Sequence, residues 1–321
     1  MADEKMRELL GSGKTVDNVY RREILGKLYA EVKARKNEIV GCLAADLDRS
    51  SKECAIIFSS LIEKPLRTAA KKDWIKCRWL APVLPDFITT GRMYRKPLGL
   101  ILIEADPREP FLYAFRRFLA SLMAGNPTVL FYSGRKTDTV SLLVEIANDN
   151  LPAEFGRIAL AGEEIPMEEP DYVFQEEYPG HVVAVFDGTA DYDKGAEKLV
   201  YAWRKMEGIC GVKPEIIYCP SSLRPALVKQ IDKWSRRTSE DAERHKVRVN
   251  GFTGDEDLAR KLEAEGELFA LYVFSEEDTY AVSLALERSY KYASINSVTL
   301  RAPSMRACFN DFVTTKTIMM R

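Results

Sequence analysis

Short, unbroken apolar runs recur along this 321-residue chain, each followed by a longer amphipathic stretch. "LGLILI", centred on 99–103, and "TVLFY" at 128–132 are the clearest, and "RIALAG", "VVAVFD", "EIIYC" and "LFALYVF" follow. A run with no polar alternation is a strand buried on both faces. Between the runs lie "PFLYAFRRFLASLMA", which stops at Gly125-Asn126, and "TDTVSLLVEIAN", with Thr137 or Asp138 as N-cap. "KGAEKLVYAWRKM", "LRPALVKQIDKW", "DEDLARKLEAE" and "DTYAVSLALERSYKYA" are further predicted helices. This alternation leaves little choice but an α/β protein with a largely parallel sheet.

The chain opens with helices. From Arg21 to Leu47, Ile24, Leu28 and Val32, with Leu25 and Tyr29 beside them, are followed by Ile39, Leu43 and Leu47, one amphipathic helix or a helix pair. Residues 53–80 read as helical until Pro82 and Pro85 break the pattern. "GSGKT" at 11–15 imitates the end of a phosphate-binding loop. The full motif needs a glycine where Glu8 stands and a strand where "ADEKMREL" reads as helix. A helix-ending turn with Gly11 or Gly13 in the left-handed conformation is the better reading.

Charge narrows the function classes. Lys plus Arg is 47 and Asp plus Glu is 48, a net charge of -1, so no nucleic-acid or anionic-membrane partner is expected. The opening "MADEKMRELL" is too charged for a signal peptide, and no apolar run is long enough for a membrane span. The cysteines (Cys42, Cys54, Cys77, Cys210, Cys219, Cys308) are scattered, and His181 and His245 stand apart. That predicts free thiols in a reducing cytoplasm and no metal site.

Several segments, in order, resemble an aldehyde dehydrogenase. "RELLGSGKT", "EILGKLYAEVKARKNEIVGCLAADLDRS", "YRKPLGLILIEA", "MAGNPTVLFYS" and "LPAEFGRIALAGEE" match its N-terminal part. "DYVF", "VVAVFDGTADYDKGAEKLVYAW", "KPEIIYC", "GDEDLARKLEAEGELFALYVFS" and "FNDFVTTKTIMMR" continue it. The similarity is greatest to the short, dimeric subgroup acting on fatty and aromatic aldehydes. It implies a Rossmann-type parallel-sheet domain with N-terminal helices over 1–200, a reduced catalytic-like α/β domain over 201–308, and an oligomerisation strand over 309–321.

The resemblance also implies site positions, and this chain departs from each. The family nucleophile, set three residues before the proline of a Gly-Gln-x-Cys-x-x-Pro frame, falls on Gly211 when Pro214 is the anchor; Cys210 is one residue early. The oxyanion-donating asparagine of Asn-Tyr-Pro-Phe falls on Arg108 of "REPF". The Glu-Leu-Gly-Gly segment of the general base is absent, and Glu176 and Glu177 lack its glycines. The ribose-binding Lys-Pro-Ser-Glu turn reads "FYSG", placing Phe131, Ser133 and Gly134 at its positions. The Gly-Ser-x-x-x-Gly and Glu-x-Phe-Gly-Pro segments are missing, with deletions between Val173 and His181 and around Ser239 to Val249.

The expected function is therefore an aldehyde dehydrogenase-like pseudoenzyme with no cofactor and no metal, a structural or binding protein that keeps the dimer shell. The alternative is a residual NAD- or NADP-dependent aldehyde oxidoreductase, or a thioesterase, using Cys210 as nucleophile. "FITTGRMYRK", within the β-arm Phe87 to Lys96, is read as strands around a turn at Gly91-Arg92. This arm and the tail Phe309 to Arg321 are expected to dock on a second copy, or else to fold back on their own chain. A protein partner is left open.

Overall fold

The structure, a computed structural model, describes residues 2–75, 78–80, 90–105, 107, 109–165, 167–175, 181–206, 214–238, 247–266, 268–287, 290–298 and 305–320. The chain divides into two compact units, Met1–Glu176 with Pro303–Arg321, and Glu177–Ala302.

The first unit begins with helix α1 (Ala2–Gly11), and Gly13 follows at φ 73°. "GSGKT" is therefore a left-handed turn after a helix, as read from the sequence. α2 (Asn18–Ala34) starts where the Asp17 side chain accepts from Val19 N–H, and α3 (Lys36–Leu47) follows, so Arg21 to Leu47 is a helix pair. α4 (Ser51–Ile57) is capped by Ser50, whose side chain accepts from Glu53 N–H. A π-helical stretch, Phe58–Glu63, leads into α5 (Lys64–Lys71). The helix expected through residue 80 ends there. Asp73 Oδ1 takes up Ile75 N–H and the buried Arg21 guanidinium, an arrangement that turns the chain out of the helix, and Arg78–Leu80 is strand β1.

β2 (Thr90–Pro97) and β3 (Ile101–Ala105) lead to α6 (Phe111–Met123), β4 (Thr128–Tyr132), α7 (Asp138–Asn150), β5 (Gly156–Leu160) and β6 (Tyr172–Gln175). Thr137 is the α7 N-cap, accepting from Val140 N–H. A parallel sheet runs β5-β4-β3-β6. Ile101, Ile103, Leu130 and Ile158 share the main core with helix residues such as Leu25, Phe115, Phe118 and Leu143. Leu100, Leu102 and Val129, of opposite parity along the strands, pack with Met6 of α1 and with Met167. Burying Phe115 and Phe118 completely contributes roughly 2–3 kcal/mol each.

The second unit continues the alternation: β7 (His181–Phe186), α8 (Tyr192–Met206), β8 (Ile216–Pro220), α9 (Arg224–Thr238), β9 (Arg248–Phe252), α10 (Asp255–Ala264), β10 (Leu268–Phe274), α11 (Asp278–Leu286) and β11 (Tyr290–Ile295). Its parallel sheet runs β11-β10-β7-β8-β9. β7 lies between β8 and β10, which places β7 and α8 in this unit, whereas the expected boundary at 200 put β7 in the first and cut through α8. The helix expected to reach Ala293 ends at Leu286, and Tyr290–Ile295 pairs with β10 as a strand.

The chain then returns to the first unit with α12 (Met305–Asn310) and β12 (Val313–Met320). β12 runs antiparallel to β2 over its whole length, from Val313 opposite Pro97 to Met320 opposite Thr90. β1 pairs the other side of β2, giving the order β1-β2-β12. Gly91 and Arg92 lie within β2, so the turn expected there is replaced by continuous ladder; residues 87–89 of the arm lie outside the described residues. Arm and tail pair with each other inside one chain.

Candidate functional site

In an open parallel sheet, ligands approach the carboxyl ends of the strands. β4 ends there at Tyr132, followed by Ser133 and Gly134. Strand parity sends Phe131 to the α1 side, where its ring packs on the apolar cluster of Met6, Leu100, Leu102, Val129 and Met167. Tyr132 points the other way and is buried. Its O–H donates to the Glu109 carbonyl at 3.2 Å, and its ring meets Phe111 edge-on at 5.1 Å. Burial, reinforced by the Glu109 charge, pushes the phenol up to about 12.

The same ring lies against Gly134. A Cβ added to Gly134 would stand 2.4 Å from the Tyr132 Oη and 2.5 Å from Cζ. Ser133 Oγ turns inward and donates to the Ala105 carbonyl at 3.3 Å. The ribose turn that the resemblance implies carries a lysine and a glutamate; here Phe131 is packed into an apolar patch, and a side chain at Gly134 would collide with Tyr132.

Behind the turn lies a buried ion pair. Glu109 and Arg117 are 1% and 4% exposed, and Arg117 Nη1 donates to Glu109 Oε1. The Arg117 guanidinium also lies 5.5 Å from the Phe174 ring centre. Phe174 in turn packs on Phe312, beside β12, at 5.2 Å. Neither Tyr132 nor Glu109 was singled out from the sequence. Glu109 lies just before the N-cap Pro110 and Arg117 lies within α6, so no helical spacing marks the pair in the sequence.

Cys210, Gly211, Arg108, Glu176, Glu177, Cys77 and His245 lie outside the described residues. The structure does place Pro214, the anchor of the nucleophile frame: Trp203 Nε1, fully buried on α8, donates to its carbonyl at 2.8 Å. Cys42, Cys54, Cys219 and Cys308 are free thiols. Burial raises the pKa of all four, pushing Cys219 and Cys308 up to about 11. His181 is half-exposed, with Nε2 3.8 Å from Glu265 Oε2. Among the described residues, no group of three His, Cys, Asp or Glu side chains could hold a metal ion.

At the carboxyl edge of the second sheet, Asp187 latches two loops. Its Oδ1 accepts from Thr189 N–H and Ala190 N–H, and its Oδ2 from Ser275 Oγ at 2.5 Å. The Asn296 side chain closes the latch through both Ser275 N–H and the Ser275 carbonyl. These groups satisfy one another, which fits a structural clasp rather than a ligand site.

Comparison with known proteins gives the class. No protein-family model matches the chain. Its sequence is similar to 4,4'-diaponeurosporen-aldehyde dehydrogenase of Staphylococcus aureus, 23% identical over 254 residues, covering 70% of this chain and 55% of that protein. It is also similar to aldehyde dehydrogenase family 3 member A2 of Mus musculus, 23% identical over 268 residues, covering 71% and 53%. The chain spans about half the length of these curated relatives. Among solved structures, a substrate-bound Staphylococcus aureus AldH superposes with a TM-score of 0.82 at 16% identity, covering 100% of this chain and 93% of that one. The glyceraldehyde-3-phosphate dehydrogenase GapN of Methanocaldococcus jannaschii, complexed with NADP, gives 0.74 at 13%, covering 99% and 93%. Betaine aldehyde dehydrogenase of Staphylococcus aureus, in complex with NAD+, gives 0.74 at 13%, covering 99% and 86%.

The fold is thus that of the aldehyde dehydrogenases. The chain's sequence is similar to curated aldehyde dehydrogenases over as much as about 70% of its length.

Proposed function

We propose that this chain is an aldehyde dehydrogenase-like pseudoenzyme, a structural or binding protein that keeps the fold without the chemistry. The observation that carries this reading is the Tyr132 ring lying against Gly134, with Phe131 packed under α1, at the turn where the family holds its ribose. We further propose a homodimer. Among the described residues β12 ends its sheet, and an edge strand of this length invites pairing with a second copy. Free buried thiols fit a reducing compartment, so a cytoplasmic location is proposed. Among the described residues, no helix is long and apolar enough to cross a membrane.

Thermal melting of the full chain with NAD or NADP tests the cofactor part. A nucleotide at about 100 times its Kd would add about 2.7 kcal/mol. The expected result is no shift at millimolar nucleotide, and a shift of that size overturns the reading. For assembly, the expected result is a dimeric mass in solution that becomes monomeric on deleting Asn310 to Arg321. A full-length monomer at micromolar concentration sinks the homodimer.

One observation favours a second reading: two neighbours were solved with NADP and NAD+. On that reading the chain is a residual NAD(P)-dependent aldehyde oxidoreductase, or a thioesterase, using Cys210. Aldehyde-dependent nucleotide reduction, or thioester hydrolysis without nucleotide, abolished by Cys210→Ser, would establish it.

A further inference from the structure

The second unit carries opposite charge on the two faces of its sheet. Val183, Val185, Ile216, Tyr218, Leu271 and Val273 pack with Leu258 and Leu262 of α10 and with Ala281 and Leu284 of α11. Strand residues of the other parity meet α8. The Phe186 ring lies 5.5 Å from that of Tyr192, and a Cβ added to Gly195 would stand 2.3 Å from the Phe186 ring and 3.3 Å from the Phe274 ring. α9 lies beside α8, because Lys233 and Trp234 both donate to Asp193 Oδ1, at 2.7 and 2.8 Å. One helix layer is therefore α10 with α11, and the other is α8 with α9.

The α10–α11 layer is acidic. Residues 255–265 and 276–287 hold nine aspartates and glutamates against Arg260 and Lys261. Both of those cations reach Asp257, and Arg248 reaches Glu265. Asp255, Glu256, Glu276, Glu277, Asp278 and Glu287 are exposed, and among the described residues none of them enters an ion pair. Tyr280 links the two helices, its O–H donating to Asp255 Oδ1 at 3.4 Å. Burial, and then the charges of Asp255, Asp187 and Glu287, push this phenol up to about 12.

The α8–α9 layer is basic. The described side chains of these two helices include seven lysines and arginines against Asp193, Glu197 and Asp232. Lys194 pairs with Asp191 and Lys233 with Asp193. Arg224, Lys229, Arg236 and Arg237 are exposed, and among the described residues none of them enters an ion pair. Helix dipoles favour acids at N-termini and bases at C-termini. They do not account for the whole pattern, because Glu287 caps the C-terminus of α11 and Arg224 opens α9.

Two copies that met through the same face would set like charges against each other, which costs several kcal/mol. Unlike faces attract within the Debye length. The acidic layer also offers an apolar contact: Val282 and Leu286, one turn apart on α11, are 44% and 81% exposed, and α11 has no charge after Asp278 until Glu287.

We propose that the α10–α11 face of one copy docks on the α8–α9 face of another, a head-to-tail contact between opposite charges. Such a contact closes into a ring or extends as a row of molecules. It is separate from the β12 pairing and from any nucleotide site.

Sedimentation velocity of the full chain at about 20 mM and about 500 mM salt tests it, the Debye length falling from roughly 20 Å to roughly 4 Å. The expected result is a mass that grows with protein concentration at low salt and returns to a smaller species at high salt. Lys229→Glu/Arg236→Glu and Glu276→Lys/Glu277→Lys alter exposed side chains and should leave the melting temperature little changed. Each alone should weaken the low-salt association about tenfold or more. Each also keeps one native face, so an equimolar mixture should associate where neither variant does alone. Should a reversal not fold, the glutamine replacements Lys229→Gln/Arg236→Gln or Glu276→Gln/Glu277→Gln should shift the mass in the same direction. An equal mass at both salt concentrations overturns the proposal, as does association that salt strengthens. So does a mixture that stays dissociated. Low-salt association that both charge variants keep, and that deleting Asn310 to Arg321 removes, would belong to β12 and would likewise overturn it.

Discussion

Asn126 reaches Phe312 across 186 residues of sequence: its side-chain amide donates to the Phe312 carbonyl at 2.9 Å. The same amide group donates to the Ser121 carbonyl, and its Oδ1 accepts from Gly99 N–H at 3.0 Å. One fully buried side chain thus ties the end of α6, the start of β3 and the tail. Asn126→Ala leaves these buried backbone groups without that partner and is expected to cost about 3 kcal/mol. A urea midpoint unchanged from the parent would show that water or a local shift replaces the amide.

The contact between Tyr132 and Gly134 predicts a coupled pair. Gly134→Ala puts a methyl group inside the Tyr132 ring's space and is expected to destabilise by about 1–3 kcal/mol. In a Tyr132→Ala background the same substitution should cost close to nothing, because the ring is gone. Additive costs in the double-mutant cycle would mean that the ring relaxes elsewhere.

Thiol labelling separates structural from reactive cysteines. Burial holds Cys219 and Cys308 near 11, so at pH 8 only about one thiol in a thousand is thiolate. Both should label slowly in the native chain and fast after unfolding. Cys210 should label no faster than they do, and selective rapid labelling of Cys210 at neutral pH would defeat the pseudoenzyme reading.

The same groups set an alkaline limit on stability. Cys219 and Cys308 are raised from 9.0 to about 11, and Tyr132 from 10.0 to about 12. Each is neutral in the folded state where its unfolded counterpart has already ionised. Their contribution is complete below about pH 9 and is lost as pH rises through about 11 to 12. The urea midpoint should fall across that window. Cys308→Ala should reduce the steepness of the fall, whatever it does to the midpoint at pH 7.

Breaking the Glu109–Arg117 pair should cost more than replacing it. Glu109→Gln removes the buried carboxylate charge paired with Arg117 and is expected to cost about 3–5 kcal/mol. The double replacement Glu109→Gln/Arg117→Met should recover much of that loss in the same denaturation experiment.

Elements with a strong local signal were legible in the sequence. β3, β4, β7, β8 and β10 are apolar runs that bury both faces, and the alternation alone gives their parallel sheets. β11 was not legible, because Tyr290-Lys291-Tyr292-Ala293 continues a helical stretch and becomes a strand only by pairing with β10. β9, with Asn250 and Gly251 inside it, has no apolar run to reveal it. In the site, the loss of charge at Phe131 and Gly134 could be read directly. That Tyr132 fills the space depends on which face of β4 it occupies and on the carbonyl it finds there, which no spacing rule supplies.

The pairing of β12 with β2 also fixes an order of events during synthesis. Residues 177–302 form a contiguous unit that is complete before the tail emerges. The first unit starts earlier and finishes later, because β2 waits for a strand more than two hundred residues downstream. Until then β2 presents a row of unpaired amides and carbonyls on the nascent chain. Release at residue 302 would leave that row open and remove the Phe312 carbonyl that Asn126 holds. β12 is thus a late-made lock on a strand made early, and a chain stalled before it should be handled in the cell as unfinished.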